Sequence, residues 1–594
     1  EYGIDYSDMA IRNINAAIDD FTIEGAAIGA RIGRLSAVEK SGFAINDFGG
    51  KFFLANGCIG LENARLVTPY SNVSIPSVSI VGDSWLEYRE YVDQVSMNIE
   101  VRNSMLSSDD VAYFSPKLRD WHLALRNINL AFDGVVSDFH ADLSSMAFGR
   151  NSRLCARGRV TGLPDTEKMR FTLTFDEASS DAADIGGILA KVARRKLPRR
   201  TLEMLDRAGQ LRLDGSVEGA LSEFRSQFAL SAPVGNIFAE LSMAPTGRFR
   251  LRALDGSLEI QALQVGRILD RRNVGRISCN ADMKGVLGRK AVDVRLAGDV
   301  SQLEFNDYAY DSLRFDGRLT EKSFNGRVHA ADPALKFDFE GEVGFGRSLP
   351  HYDFDFDLHH ADLAKLHLNR RDSVSVLSGR LEACMSGRTL DDMNGDVKIR
   401  NAVYRYNADT LQTELLTFVG QNSERSKYLT LQSDFADATF RSKTDYKTVF
   451  GYLRSSFEKY VPLLHRKGKT GRRSESSVGV VDDYSVLSVD VKRFTPIADA
   501  IAAGLQIADG SQLRVMFNPA NDKLSLKATS EYVERERMLA TRLNLNATNR
   551  GDSLSVYLRS EDFYVGTFHM PQLSVMGGAR NERMRLSAGF RDTT

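Results

Sequence analysis

The sequence has few cysteines, which zinc centres and disulfide frameworks need, and no long apolar run of the kind that forms a membrane-spanning helix. Its 594 residues include only 4 cysteines and 2 tryptophans. The cysteines are far apart and none belongs to a C-x-x-C pair, which argues against zinc and a disulfide framework and leaves the redox compartment open. No apolar run approaches the roughly 18 to 20 residues that a helix needs to cross a bilayer. The cysteines are Cys58, Cys155, Cys279 and Cys384.

An excess of one charge is also missing. The formal net charge is -1, so no general attraction for nucleic acid or for anionic headgroups is expected. The composition, 43% hydrophobic and 26% charged, is that of a folded protein and excludes a disordered chain. There is no G-x-S-x-G elbow, H-E-x-x-H motif, Walker A loop or Rossmann fingerprint in its strand–helix context. We therefore predict a protein without enzymatic activity, catalytic residues, cofactor or nucleic-acid partner.

The two ends of the sequence suggest a segment of a larger protein. The chain begins with Glu1 rather than Met and shows no signal peptide. Strand-like alternation is still running at residues 584–588. We expect any membrane anchor to lie outside this segment.

What the sequence has in abundance is a short strand pattern built around glycine. Three copies of aromatic-x-Gly-x-aliphatic occur between residues 311 and 343, at 315–319, 324–328 and 339–343. Each alternates apolar with polar residues, which predicts a β-strand with one apolar face. The glycine lies on the apolar face, where it leaves a hollow or lets the strand bend sharply. A bulky residue at Gly326 is expected to fill this hollow with little loss of stability.

A looser form of the pattern, apolar-x-Gly-x-apolar, recurs elsewhere in the chain. The copies are at 213–217, 283–287, 296–300, 377–381 and 393–397. Their intervals vary, which excludes a fixed-period solenoid and favours a meander of antiparallel strands joined by turns of different length.

Strand parity predicts which side chains line the apolar face at 311–358. Six neighbours of opposite parity should face water: Asp316, Arg318, Asn325, Arg327, Glu340 and Glu342. The predicted lining residues are Leu313, Phe315, Leu319, Phe324, Val328, Leu335, Phe337, Phe339, Val343, Phe354, Phe356 and Leu358.

Helical spacing interrupts the strands at a few places. Residues 181–208 predict two helical pieces that Pro198 separates, with Thr201 capping the second and Gly209 ending it. Short helical turns are predicted at 85–92 and at 107–114, the latter capped by Ser108. A basic cluster lies across the Pro198 break; we interpret it as a solvated helix face, with contact to phosphate headgroups as the alternative. The cluster is Lys191, Arg194, Arg195, Lys196, Arg199 and Arg200.

The strongest helical pattern covers residues 446–464. Its apolar stripe predicts packing on a sheet, where it could form a lid over the apolar face. A basic, Gly- and Ser-rich loop follows at 465–477, and a short helix is predicted at 495–507. The stripe contains Tyr446, Val449, Phe450, Leu453, Phe457, Tyr460, Val461 and Leu464.

These patterns divide the chain into five segments. Strand segments at 1–180 and 209–445 flank the helical insertion at 181–208, and the second contains all the glycine patterns. Residues 446–477 form the amphipathic helix with its basic loop. The strands of 478–594 follow, with the short helix at 495–507.

Residues 351–360 are the nearest approach to a metal or catalytic site. Asp353, Asp355, Asp357 and His359 share one parity and line the polar face of a strand. Successive side chains on that face are about 6.5 to 7 Å apart, so they do not converge on one ion. No metal site is predicted.

The number of strands decides between architectures. An open twisted sheet rarely exceeds about ten strands before it curls or splits into layers. Sandwich domains would need linkers about every 100 residues, and a membrane barrel would need aromatic girdles and uninterrupted strands of about ten residues. We therefore predict an all-β dominated fold, an elongated, curled antiparallel sheet forming a hydrophobic groove (a β-taco) with a few inserted amphipathic helices. With about 30 to 40 strands the groove would be about 150 to 190 Å long.

Several runs resemble the TamB family of Gram-negative envelope proteins, in the AsmA-like superfamily. They are residues 434–438 leading into the helix 446–464, together with 39–43, 308–310 and 360–366. The resemblance implies a middle segment of a protein that an N-terminal helix anchors in the inner membrane and that crosses the periplasm as a hydrophobic β-groove. It also implies an Omp85-type outer-membrane barrel (TamA-like) as partner, through a region outside this segment.

Two functions fit these expectations. The first is a non-enzymatic periplasmic bridge that carries phospholipid acyl chains between the inner and outer membranes and supports outer-membrane assembly. The second is a chaperone-like scaffold for the translocation and assembly of outer-membrane proteins, which accepts incoming strands by β-augmentation. A surface polysaccharide-binding or lyase protein built as a β-helix fits less well, because the apolar face is aliphatic and Phe-rich and shows no exposed aromatic ladder. The sequence does not separate the first two functions.

Overall fold

The structure of the chain is a computed structural model. It describes residues 3–5, 8–192, 196–247, 251–288, 291–346, 349–423, 425–446, 448–449, 451–452, 482–495, 498, 504–518, 520–550, 553–580 and 583–591. The chain divides into two compact units, Glu1–Ser312 and Leu313–Thr594. This boundary lies inside the predicted segment 209–445.

The first unit is a meander of long strands with alternating side chains. Each described strand pairs antiparallel with its neighbours in sequence order. The strands are β1 (Ile11–Glu24), β2 (Ala27–Glu39), β3 (Ala44–Ala55), β4 (Cys58–Val67), β5 (Asn72–Val81), β6 (Ser96–Ser107), β7 (Ala124–Val135), β8 (Asp138–Phe148), β9 (Ser152–Thr161), β10 (Arg170–Ser180), β11 (Leu211–Ala220), β12 (Glu223–Ala232), β13 (Gly235–Pro245), β14 (Leu251–Gln264), β15 (Val274–Gly288), β16 (Ala291–Phe305) and β17 (Tyr308–Tyr310).

The helices of the first unit lie in the connections between strands. The predicted insertion at 181–208 and the turns near 85–92 and 107–114 are confirmed, but two caps were assigned wrongly. Ser107, not Ser108, caps the helix that follows it, because its hydroxyl accepts the Asp109 N–H. Pro198, not Thr201, precedes the second piece of the insertion. The helices are α1 (Tyr91–Gln94), α2 (Ser108–Val111), α3 (Ala182–Lys191), α4 (Arg199–Ala208) and α5 (Val265–Leu269), with 3-10 turns at Glu87–Glu90 and Pro116–Leu118.

The second unit continues the same design. The three glycine patterns at 315–319, 324–328 and 339–343 form strands, as predicted, and these are the first three strands of the unit. The strands are β18 (Leu313–Thr320), β19 (Ser323–Asp332), β20 (Leu335–Gly344), β21 (His351–Asp362), β22 (Ser375–Ser386), β23 (Asn394–Tyr406), β24 (Asp409–Asn422), β25 (Lys427–Ser433), β26 (Ala436–Ser442), β27 (Ser485–Val491), β28 (Leu505–Ile507), β29 (Gln512–Asn518), β30 (Lys523–Arg535), β31 (Met538–Arg550), β32 (Ser553–Arg559), β33 (Asp562–Val565), β34 (Phe568–Pro571), β35 (Ser574–Arg580) and β36 (Arg583–Gly589).

The predicted fold class is confirmed in both units, which are antiparallel sheets with a few inserted helices. Antiparallel pairing throughout the described strands is incompatible with a parallel β-helix. One boundary was wrong: the short helix predicted at 495–507 does not extend to residue 507. Leu505 instead starts β28, which pairs with β30. Leu505 is thereby paired with Arg535 in the sheet.

A line of β-bulges bends the strands of the first unit. Most neighbouring pairs from β1/β2 to β10/β11 shift register near mid-strand. Asn63, Asn103 and Asn127 adopt positive φ within β4, β6 and β7, a conformation that asparagine tolerates better than most residues. A bulge bends its strand and increases the local twist. Bulges at neighbouring positions therefore curl this sheet along one line.

The strands of both units are only partly covered. Most strand residues of apolar parity are half-buried rather than buried. The apolar face of the described strands is therefore largely open to solvent.

Candidate functional site

All twelve predicted lining residues lie on one face of β18 to β21. Phe315, Val328, Phe339 and Phe356 follow one another across the four strands as directly opposed residues. All twelve are half-buried, whereas five of the six residues predicted to face water are exposed and Glu342 is half-buried. The predicted faces are therefore correct. The part these residues play in lipid binding stays a prediction.

The apolar face continues across the whole second unit as an unbroken row. From β18 to β36, one residue of each strand is opposed to one residue of the next, except that β28, β33 and β34 lie outside this path. Every member of the row is apolar or glycine. We name this row the second-unit strip. It consists of Gly317, Gly326, Gly341, Phe354, Ala383, Val397, Phe418, Leu431, Ala438, Val489, Leu513, Ala528, Leu545, Leu558, Val575 and Ala588.

The first unit carries an equivalent row, the first-unit strip, from β1 to β16. Its members are again apolar or glycine without exception. It consists of Ile23, Ile28, Leu54, Ile59, Ile80, Met97, Gly134, Phe139, Val160, Phe171, Gly219, Phe224, Met243, Leu254, Gly285 and Val294.

The strips run across the strands, so they are much longer than any one strand. Neighbouring strands are about 4.8 Å apart, which gives each strip a path of about 70 Å. Away from the terminal strands their members are half-buried or buried, and none is exposed. A continuous apolar path that protein covers only in part can accept apolar chains along its length.

The glycines of the second-unit strip do not leave the hollow that was expected. A Cβ at Gly326 would lie 2.4 Å from the Gly317 Cα and 2.4 Å from the Asp316 carbonyl oxygen on β18. The ring of Phe324 covers Gly317, where a Cβ would meet its Cζ at 2.6 Å. The glycines therefore allow close approach of neighbouring backbones, and the expectation that a bulky residue at 326 is tolerated is wrong.

A small core interrupts the open face near β25 to β30. Tyr446 and Val449, at the start of the predicted helix 446–464, are buried against Phe440, Val515 and Phe517. The first turns of the predicted apolar stripe thus pack on the apolar face, as predicted. Phe450, Leu453, Phe457, Tyr460, Val461 and Leu464 lie outside the described residues, as does the loop 465–477.

Hydrogen bonds hold Tyr446 at this position. Its hydroxyl donates to Oδ1 of Asn422 at 2.8 Å, and its N–H donates to Oδ1 of Asp391 at 2.7 Å. The Asn422 side chain donates in turn to the Leu390 and Met393 carbonyls. Burial, and to a smaller extent the nearby Asp391 carboxylate, raises the pKa of Tyr446. Three connections of the second unit meet in this network, which fixes where the helix enters the apolar face.

The polar face carries paired charges rather than a convergent site. Asp338 accepts hydrogen bonds from His359 (2.8 Å) and His329 (2.7 Å), and these bonds lower the pKa of Asp338. Asp355 of β21 instead pairs with Arg380 of β22 at 3.3 Å, so the charged residues of β21 are divided between partners on β20 and β22. Within the described part of the chain, no three His, Cys, Asp or Glu side chains are placed to hold a metal ion together.

The helices of the described residues are all too short or too polar to cross a bilayer. No protein-family model matches the chain, and no curated protein matches its sequence.

Proposed function

We propose that the two apolar strips bind the acyl chains of phospholipids and that the protein is a non-enzymatic lipid conduit. The observation that carries the proposal is the continuity of the strips. Every described strand except β17, β28, β33 and β34 contributes an apolar residue or glycine to a strip, and most of these residues stay half-open to solvent. A protein that needed only a folded core would cover such a face with a second layer.

The energetics of acyl-chain burial favour such a conduit. Burying a methylene group is worth about 0.8 kcal/mol, so the transfer of a 16-carbon chain from water is worth on the order of 10 kcal/mol. A continuous apolar path removes most of this barrier to crossing an aqueous gap. Charged headgroups remain in water at the open side of the strip.

The cellular setting follows from the resemblance to the TamB family. In this proposal the chain is the middle of a periplasmic bridge that carries phospholipid between the inner and outer membranes and supports outer-membrane assembly. A membrane anchor and the region that meets an Omp85-type barrel would lie outside this segment.

The test interrupts a strip at one position. Leu545→Glu places a charge in the second-unit strip, and Asn544→Glu places the same charge one residue away, at an exposed position. Purified wild type should contain phospholipid that organic solvent extracts and mass spectrometry identifies. Leu545→Glu should lose most of this lipid and should slow the transfer of a fluorescent phospholipid between vesicles.

Asn544→Glu should retain the lipid content and transfer rate of the wild type. Wild-type protein that carries no extractable lipid and transfers none would contradict the proposal. So would equal losses in the two variants, because the charge would then act independently of the strip.

A further inference from the structure

Three helices of the first unit gather at one edge of its sheet. Helices α3 and α4 connect β10 to β11, and α5 connects β14 to β15, so all three lie at the same ends of these strands. α4 packs against both α3 and α5. Arg207 of α4 donates to the Ile268 carbonyl at 3.2 Å and lies 3.7 Å from Asp270. The tertiary structure thus brings two distant segments of sequence into one surface.

The apolar sides of these helices are used in packing. Ala182, Ala208 and Gly266 are buried, and Leu202 of α4 lies against Gly186 of α3. On the outward side the cations outnumber the acidic residues, of which Glu203, Asp206 and Asp270 are exposed there. The exposed cations form a surface that we name the basic helical surface: Lys191, Lys196, Arg199 and Arg200 from α3 and α4, with Arg267, Arg271 and Arg272 from α5 and the turn after it.

Helix stability accounts for Lys191 and Arg267, which lie in the last turns of α3 and α5, but not for Arg199 and Arg200. A cation is favourable at the C-terminal end of a helix and unfavourable at the N-terminal end. Arg199 and Arg200 open α4, whose first turn contains no acidic residue. Glu203 pairs with Arg199 at 2.9 Å, but Arg200 has no described carboxylate partner. The arrangement costs stability unless an anion outside the chain compensates it.

Two apolar side chains are exposed beside the cations. Val192, which follows α3, is 39% exposed, and Leu269, at the end of α5, is 37% exposed. Basic residues with interspersed exposed apolar residues are typical of helices that lie on an anionic bilayer. The net charge of the whole chain is -1, so this clustering is local.

We propose that the basic helical surface binds the surface of a bilayer that contains anionic phospholipid. Phosphate headgroups neutralise the cations at the start of α4 and on α5, and Val192 and Leu269 enter the interfacial zone. The inference goes beyond the conduit and does not rest on it, because docking to a bilayer requires no acyl chain in the strips. It replaces the interpretation of the residue 191–200 cluster as a solvated helix face.

The experiment compares charge reversals that are matched in number. The test variant is R200E/R267E/R272E. The control variant is R314E/K336E/K527E, which changes the net charge equally at exposed positions of the second unit. Binding is measured by co-sedimentation with vesicles of phosphatidylcholine alone and with vesicles that also contain about 30% phosphatidylglycerol. Unchanged thermal melting verifies that each variant is folded. If the charge reversals prevent folding, R200Q/R267Q/R272Q replaces the test variant.

Wild type should bind the anionic vesicles and not the neutral ones, and binding should fall steeply at about 0.5 M salt. The test variant should lose at least about tenfold in partitioning, and the control less than about twofold. Equal losses in the two variants, or binding to neutral vesicles by the wild type, would overturn the proposal. Release by about 10 mM inorganic phosphate at constant ionic strength would also overturn it, because a small-anion site would then explain the binding.

Lipid content distinguishes this inference from the conduit. The test variant should keep the extractable phospholipid of the wild type while it loses vesicle binding. Loss of both together would show that vesicle sedimentation reports the strips rather than the basic helical surface, and the inference would be wrong.

Discussion

Gly326 on β19 lies directly opposite Gly317 on β18, and a Cβ at 326 would lie 2.4 Å from the Gly317 Cα. Gly341 on β20 follows in the same row. Three adjacent strands thus have glycine where side chains would otherwise separate their backbones. The glycines of the strip therefore serve close packing of strands at this part of the apolar face.

The first prediction concerns this close approach. Gly326→Ala should destabilise the second unit by about 1–3 kcal/mol, because neither neighbouring contact is a flexible side chain that could move away. Asn325→Ala, one residue away and exposed, should change stability by no more than about 0.5 kcal/mol. Urea unfolding measures both. Equal stabilities of the two variants would show that the strands separate without cost.

The second prediction concerns the helix entry. Tyr446→Phe removes the hydrogen bond that the tyrosine hydroxyl donates to Asn422 Oδ1. This oxygen still accepts a hydrogen bond from the Tyr428 N–H at 3.0 Å. The variant should therefore lose only about 1 kcal/mol of unfolding free energy. Val449→Asp, which places a carboxylate among Phe440, Val515 and Phe517, should cost at least about 3 kcal/mol.

Tyr484→Phe is the control for Tyr446→Phe, since Tyr484 is 42% exposed. It should melt like the wild type. A Val449→Asp variant with unchanged melting would mean that the helix start does not pack on the apolar face.

The third prediction concerns acid. Asp184 of α3 accepts the N–H groups of Arg150 and Asn151, at 3.0 and 2.9 Å, and so ties the helix to the β8/β9 turn. Burial raises the pKa of Asp184, but the hydrogen bonds from the Asn151 N–H and the Ser152 hydroxyl outweigh burial. The pKa therefore lies below its ordinary 3.8.

A lowered carboxyl pKa stabilises the fold above the ordinary value, and this contribution is lost as pH falls through the lower folded pKa. Asp184→Asn should cost about 1–3 kcal/mol at pH about 6 and much less at pH about 2. Asp282→Asn, at an exposed position, is the control and should cost little at either pH. Urea midpoints at the two pH values test this. A cost independent of pH would show that the Asp184 charge contributes nothing.

Alternation was enough to predict the sheet and its faces. Phe315, Val328 and Phe339 have polar neighbours on both sides, so period two assigns them to one face whatever the register. The lining of β18 to β21 followed from this local rule, and the fold class followed from the number of strands that it identified. The continuous strips did not, because they depend on which residue opposes which across many strands.

The missed features all depend on tertiary context. The role of Gly326 is set by the backbone of β18, not by the pattern around Gly326 itself. The bulges at Asn63, Asn103 and Asn127 had a signal, since asparagine is unusual in the middle of a strand. The exposed Arg267, Arg271 and Arg272 lie far in sequence from α4, so only the folded chain joins them to the basic cluster.

The most direct measurement of the central claim is photo-crosslinking at two adjacent residues. A photoreactive phenylalanine at position 324 lies on the apolar face, and the same group at position 325 lies on the polar face. After irradiation in cells and purification, mass spectrometry identifies covalently attached phospholipid. The conduit predicts strong capture at 324 and little at 325. Equal capture at both positions, or none at 324, would contradict it.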